Sequence, residues 1–437
     1  MLAMDYTYNY PYSSGLKGEG LSLASYNENH GQAYFFNGRI IFPEQFSQQL
    51  GLLHRIVQTH FFKPMPAQLD PIVTCSDDYV RFEGFSGCCG VYVRMDCSTN
   101  SFDIDHLSKG TTNVDFNPAM QIAIRKLASS KNASLQVGSE ELVLQSESNS
   151  VSEKRVKLPI RWLKGLGDIQ NLQSNLNHQF RLESSKALSW FRQLPKGKGP
   201  SHPVYIGVRG GRLFSSPRAG KNMVRVAGLQ RLKVLEPILL TGGQLDVWAN
   251  TELGVSAWTV SGQIGRFTIV ISPDLYRGFS GEGQLLSYFS SASKNEKVRA
   301  LLHWQSDLVS EDIGKSVGIS TDEANIALQQ LSAEGLLGFD LAKGSYFHRQ
   351  IPFDLKSIQS IQPRLKEAHK LLEENAVSVI EELKDSSVFK VKSKDTDYRV
   401  VLSDTGDKCN CSWFARYECK RGPCKHLLAA QIQNGDS

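Results

Sequence analysis

The stretch Lys408-Cys-Asn-Cys-Ser-Trp-Phe-Ala-Arg-Tyr-Glu-Cys-Lys-Arg-Gly-Pro-Cys-Lys-His426 decides how this chain is read. Its spacing is C-x-C, twelve residues, then C-x-H. Three soft thiolates and one imidazole make a closed tetrahedral set for Zn²⁺, with no open position for catalysis. The C-x-H pair stands where an apolar run, Leu427-Leu-Ala-Ala430, begins a helix. Upstream, Val388–Val391 and Tyr398–Leu402 alternate like two strands of a hairpin. The predicted order is strand, strand, knuckle, helix. A segment this small cannot bury a sufficient core without a staple.

Over Val388 to Gln431 this pattern resembles the SWIM zinc-finger family. The resemblance implies that Cys409, Cys411, Cys424 and His426 hold Zn(2+); Cys419, inside the loop, is a departure from the pattern and a competing thiol, and is assigned here as a bystander. It implies DNA binding and protein–protein contacts, and does not by itself imply an enzyme. Some bacterial members are encoded beside MoxR-type AAA+ ATPases and von Willebrand A proteins. An adaptor or assembly role with such partners is therefore the alternative expectation. The knuckle cations Lys408, Arg416, Lys420, Arg421 and Lys425 face one acid, Glu418, which suits phosphate contact. Trp413 and Phe414 are expected in the core of the module.

Working outward, residues 353–384 read as a linker helix ahead of the 385–437 zinc module. Residues 296–352 read as a winged helix-turn-helix. Ser310 starts its second helix, Gly318 ends it, Ser320 or Thr321 caps the third, and the wing turns at Lys343-Gly344. Its charge opposes groove binding. Over 296–351 there are five basic and eight acidic side chains, and the third helix shows Asp322, Glu323, Gln329, Gln330 and Glu334 without a cation. A structural or protein-contact role is expected, with Lys343 and Arg349 the wing's only route to phosphate.

The electrostatic feature is the middle of the chain. Residues 151–233 carry 17 basic and 3 acidic side chains, against 10 and 15 in residues 1–150 and 22 and 26 in residues 234–437. The net charge of +5 conceals this. Arg161, Lys164, Arg192, Lys196, Lys198, Arg209, Arg212, Arg218, Lys221 and Arg225 form the candidate phosphate path. Trp162, Trp190, Phe191, Tyr205 and Phe214 are interleaved, as platforms for bases or as core. Around them, residues 151–290 read as a β-rich domain. The Gly210-Gly211 hairpin, strands at Leu245–Ala249, Val255–Val260 and Gly265–Ser272, and helical text in Gln170–Leu194 make it up.

Residues 1–150 read as an α+β domain with a hairpin at Asn37-Gly38, a helix over Phe46–Phe61 and another over Ala119–Leu127. Its helix and hairpin text resembles that of 151–290 and suggests a duplication. Cys75, Cys88, Cys89 and Cys97 contain no C-x-x-C or C-x-C unit and are expected to be free, buried thiols in strands. The fold class is α+β and multi-domain: mixed, β-rich N-terminal domains, a winged helix-turn-helix and a small ββα zinc module. No Walker A, G-x-S-x-G or H-E-x-x-H motif occurs, so no enzyme is expected. The absence of a leader, of an apolar run of about 18 residues and of a disulfide framework points to a cytoplasmic protein away from membranes. The leading expectation is a zinc-bearing nucleic-acid binder, with DNA favoured over RNA.

Overall fold

The computed structural model describes residues 15–17, 20–22, 34–62, 71–147, 149–156, 158, 160–197, 199–279, 283, 286, 295–351, 363–403, 405–419 and 421–435. A short hairpin, β1 (Gly15–Lys17) and β2 (Gly20–Ser22), precedes β3 (Tyr34–Ile40). The expected Asn37-Gly38 turn is absent: β3 runs through it and shifts register there against its neighbour. Such a pair makes a hairpin turn only when both residues take positive φ. Gly38 instead allows close strand contact, since a Cβ there would stand 3.1 Å from the Asp103 carbonyl oxygen.

Helix α1 (Pro43–Gln58) buries Phe46, Leu50, Leu53 and Val57 along one stripe. Strands β4 (Ile72–Cys75), β5 (Tyr79–Phe85), β6 (Val91–Ser98), β7 (Phe102–Leu107) and β8 (Gly110–Asn113) lead to α2 (Pro118–Leu127). Asn117 caps α2 by accepting from the Ala119 and Met120 amides. A meander follows: β9 (Ser134–Gly138), β10 (Glu141–Ser146) and β11 (Asn149–Lys154). Next come α3 (Ile160–Ser174), β12 (Asn177–Glu183), α4 (Ser184–Arg192), β13 (Val204–Arg209), β14 (Arg212–Ser216) and β15 (Val224–Val226). Thus β12 interrupts the expected helical text of Gln170–Leu194. Helix α5 (Glu236–Leu239) precedes a second meander, β16 (Gln244–Asn250), β17 (Val255–Gly262) and β18 (Gly265–Ile271).

The strands form sheets of order β11-β10-β9-β3-β7, β14-β13-β15 and β12-β16-β17-β18-β6-β5-β4-β8. The last crosses residue 150, because β18 pairs with β6 from Gly265↔Cys97 to Ile271↔Val91. Buried residues from both sides of residue 150, from Phe35 to Ile351, therefore share one hydrophobic core. Helix α3 lies close to β5: a Cβ on Gly84 would meet Trp162 at 2.9 Å, and one on Gly165 would meet Phe85 at 2.8 Å. The four cysteines of this half are free and buried, as expected. Cys88 and Cys89, however, sit in the β5–β6 turn rather than in a strand, with Cys89 at φ 55°.

Helices α6 (Asn295–Arg299), α7 (Ser310–Val317) and α8 (Thr321–Ala333) precede the hairpin β19 (Leu337–Asp340) and β20 (Ser345–His348). Ser320 caps α8 in a reciprocal box with Glu323. The second half of α8 packs beside α3, with the Asn171 side chain donating to the Gln329 carbonyl. Gln329 and Gln330, expected on a solvent face, are consequently buried. The expected wing cations are also engaged. Lys343 pairs with Asp78 at 2.8 Å, and Arg349 is fully buried against Glu83.

The Arg349–Glu83 contact belongs to a buried ionic layer between the large sheet and the β19–β20 hairpin. Arg81 and Arg94 meet Asp96 at 3.1 and 3.0 Å, and Arg266 meets Asp340 at 2.7 Å. Arg94 also donates to the Phe339 carbonyl at 2.6 Å, and Tyr92 donates to Glu83 at 2.5 Å. Burial alone would raise the Asp340 carboxyl, but the guanidiniums of Arg266, Arg94 and Arg81 outweigh it and hold the group well below the usual range.

The C-terminal module is built from α9 (Pro363–Glu373), β21 (Val377–Leu383), β22 (Ser386–Ser393), β23 (Thr396–Ser403), β24 (Lys408–Cys409), α10 (Ser412–Tyr417) and α11 (Lys425–Gly435). The expected linker helix over 353–384 is corrected. Residues 353–362 lie outside the described set, the helix ends at Glu373, and 377–383 is a strand paired with β22. Asn375 at φ 52° makes the stop, and Val377 and Val379 favour extended backbone. The module has a core of its own, with Leu365, Ala368 and Leu371 from α9 packed against Phe389, Val391, Leu427 and Leu428.

Breaking one member of the ionic layer should be costly. Asp340→Asn should lower unfolding free energy at neutral pH by about 3–5 kcal/mol, the range for an orphaned buried charge. Because the folded carboxyl is depressed, its contribution is present above the ordinary carboxylate range and fades as pH falls, so the gap between wild type and variant should narrow in acid. Urea titrations at two pH values measure both effects; a neutral-pH loss below about 1 kcal/mol would show that the layer does not act as described.

Candidate functional site

Cys409 ends β24, Cys411 is the N-cap of α10, Cys424 directly precedes α11, and His426 lies in its first turn. One ligand atom from each lies within 4.8 Å of all the others, and all four residues are buried. The Phe414 amide donates to Cys411 Sγ, and the Leu427 amide to Cys424 Sγ, both at 3.4 Å. Amides aimed at sulfur favour the thiolate. Among the shared protons, the Cys409 and Cys424 thiols donate to Cys411 and hold it far below the usual thiol range. A divalent ion would take the place of those protons.

His426 is positioned by packing. The Tyr398 ring stacks on it at 4.0 Å between centroids, 17° from parallel. Its Nδ1 lies 3.9 Å from Cys409 Sγ, while Nε2 is buried with no hydrogen-bond partner among the described residues. A buried S₃N quartet with an unpartnered imidazole nitrogen fits a metal ion and has little other reason to stay together. Cys419 stands outside the quartet, half-buried at φ 61°, and burial raises its thiol. No other grouping of three or more His, Cys, Asp or Glu ligands of this kind occurs among the described residues.

The loop cations differ in availability. Arg416 is exposed. Arg421 lies over Tyr417 at 4.5 Å and Trp413 at 5.5 Å. Lys425 pairs with Glu367 at 3.2 Å, and Lys420 lies outside the described residues. Trp413 and Phe414 are half-buried against the module's core rather than enclosed by it. Behind the knuckle, a cleft of about 610 Å³ is lined by Asp168, Glu252, Asp407 and Glu418, so this side repels phosphate.

The central basic residues gather differently. Gly210 and Gly211, at φ 57° and 71°, close the β13–β14 hairpin, and no atom lies within 4 Å of a Cβ on either. They are glycines for their backbone angles, and they set Arg209 directly opposite Arg212. Arg209, Arg212, Arg218 and Lys221 are exposed on this three-stranded sheet and its loops, as are Arg192 at the end of α4 and Lys196 after it. The Trp190 indole donates to Ser215 at 3.0 Å, tying α4 to β14. Arg161, Lys164 and Arg225 are half-buried, with Arg225 donating to the Pro273 carbonyl, and Lys198 lies outside the described residues. Of the interleaved aromatics, Trp162, Trp190 and Phe191 are core, whereas Tyr205 and Phe214 are partly open, with Arg209 4.9 Å over the Phe214 ring.

Comparison with known proteins gives one informative match. Residues 398–432 match the SWIM zinc finger family. No curated protein matches the chain. Among solved structures it is similar to the PCNA2–PCNA3 complex from Sulfolobus tokodaii, at 10% identity and TM-score 0.39, covering 55% of this chain and 99% of that one. Proliferating Cellular Nuclear Antigen from Entamoeba histolytica gives 12% identity and TM-score 0.38 over the same shares, 55% and 99%. Likeness at this level carries no functional argument. No helix among the described residues is long and apolar enough to cross a membrane.

Elemental analysis of protein purified without chelators should find one divalent metal ion per chain. Cys411→Ser or His426→Ala should reduce it to well under half an equivalent, and Cys419→Ser should retain it. Metal loss in the Cys419 variant would redraw the ligand set.

Proposed function

We propose that this chain is a non-catalytic nucleic-acid-binding protein stapled by a structural zinc ion, with DNA favoured over RNA. Zinc is chosen by the ligands: a closed set of three thiolates and one imidazole suits Zn²⁺ and leaves no position for a reacting water. Cys409, Cys411, Cys424 and His426 would hold it. The observation that carries the binding reading is an acid-free stretch. From Ser184 to Leu235 there is no Asp or Glu, while eleven Lys and Arg occur, several of them exposed around β13–β15. Positive charge kept clear of internal carboxylates is available to a polyanion, because each neutralised phosphate releases counterions.

The helices and hairpin of 295–351 are read as a winged helix in a structural role. The buried second half of α8 and the ion-paired Lys343 and Arg349 support that reading. The exposed apolar residues of β21, Val379, Ile380 and Leu383, favour protein contact as a second reading, in which an AAA+ ATPase is the partner. One experiment separates the two. Combining Arg209→Ala, Arg212→Ala and Arg218→Ala should weaken duplex binding at least tenfold at moderate salt. It should also reduce the log–log salt slope by about 0.9 for each phosphate no longer neutralised. Unchanged binding, or co-purification with an ATPase without any nucleic-acid affinity, would favour the adaptor.

A further inference from the structure

The ribbon formed by β13 and β14 runs on past the third strand of its sheet. β15 pairs with β13 only from Val204↔Val226 to Ile206↔Val224, whereas β14 accompanies β13 as far as Arg209↔Arg212. The last three rungs, Gly207↔Phe214, Val208↔Leu213 and Arg209↔Arg212, are therefore two-stranded. They carry the tip about 10 Å beyond the end of that pairing. Alternation puts Gly207, Arg209, Arg212 and Phe214 on one face and Ile206, Val208, Leu213 and Ser215 on the other. The second face is braced: Ile206 and Leu213 are buried, and the Trp190 indole holds Ser215. The first face is open at its end, where Arg209, Gly210, Gly211 and Arg212 are all exposed. The Arg209 guanidinium lies 4.9 Å over the Phe214 ring. A guanidinium stacked on a ring keeps its edge of N–H donors free for an acceptor. No carboxylate balances this end. Among the described residues none forms an ion pair with Arg209, Arg212, Arg218 or Lys221. The acids that bound the stretch, Glu183 and Glu236, are paired with Lys186 and Lys233.

We infer that this ribbon enters the major groove of duplex DNA, with Arg209 and Arg212 donating to guanine edges and Arg218 and Lys221, in the β14–β15 loop, meeting phosphates. The inference rests on the nucleic-acid reading above and divides the cations of that region into base-reading and backbone-holding groups. Size selects the groove. Paired strands stand about 4.8 Å apart, and with their side chains they suit a groove about 12 Å wide and about 8.5 Å deep, not a minor groove about 6 Å wide. Residue type selects the base, because two arginines on one rung offer the bidentate donors that guanine O6 and N7 accept. Gly210 and Gly211 add no side chain between those donors and the groove floor. Duplex RNA is disfavoured, since its major groove is too deep and narrow for side chains to read.

The test follows anisotropy of the full chain with three DNA duplexes of equal length, from about 50 to about 200 mM salt. One holds G·C pairs only, one A·T pairs only, and the third repeats the first with 7-deazaguanine, which lacks the N7 acceptor in the major groove. Wild type should bind the G·C duplex tighter than the A·T duplex by about fivefold or more, and 7-deazaguanine should remove most of that advantage. Arg209→Gln with Arg212→Gln should abolish the advantage and leave the salt slope nearly unchanged, because base contacts release few counterions. Arg218→Ala with Lys221→Ala should weaken binding to both duplexes alike, shrink the slope by about 0.9 for each phosphate left unneutralised, and keep the advantage. Both variants should keep the wild-type Tm, since the four positions are exposed. If wild type binds with a steep salt dependence but treats guanine and 7-deazaguanine alike, or prefers the A·T duplex, the inference fails and the functional reading stands. If wild type shows no salt-dependent duplex binding, both fail together.

Discussion

The constraint on which the main body depends is the burial of charge between the large sheet and the β19–β20 hairpin. Arg81, Arg94, Arg266 and Arg349 are set against Asp96, Asp340 and Glu83, nearly all without solvent. Charges so placed are tolerable only when each finds its partners. An apolar interface would let the hairpin slide; this one specifies a single seating, because any displacement would strand a guanidinium in a low dielectric. The same arrangement removes Arg349 from the pool of cations that could meet a ligand. The cationic surface of the protein is what remains after the interior has drawn on its arginines.

The C-terminal module solves stability in another way. Its core is small, and the knuckle between β24 and α11 contributes few enclosed apolar side chains. Four buried ligands do what a larger core would do elsewhere, fixing a strand end, a short helix and the start of a longer one at one point. Tyr398 links the two devices, packing in the sheet and stacking on the ligand His426.

What was legible in the sequence was local. The ligand quartet could be read because its spacing is short and its chemistry specific. The β13–β14 hairpin could be read because two glycines in sequence announce positive φ. The strand β12 escaped because it is an edge strand whose Asn177-His-Gln-Phe-Arg-Leu-Glu183 shows no clean alternation, and its pairing with β16 decides its state. β21 left a readable trace in Asn375 and the valines after it, which the charged text around them obscured. Least legible was the fate of individual cations. Lys343 meets Asp78 across 265 residues of chain, and no periodicity reports such a contact.

The seam between β6 and β18 has a mechanical consequence. Its ladder pairs Val91–Cys97 with Gly265–Ile271 without a register break, and it joins the two halves of the main sheet. A load drawn along these strands is shared by every rung at once, whereas a load that lifts one end meets the rungs singly. The basic β13–β15 strands form a separate sheet whose β15 lies beside β17, and the β19–β20 hairpin is keyed by ion pairs of Asp340 to strands on both sides of the seam. The hairpin thus acts as a cleat across the joint, so that parting β6 from β18 must also break the ion pairs that Asp340 makes with Arg81 and Arg266.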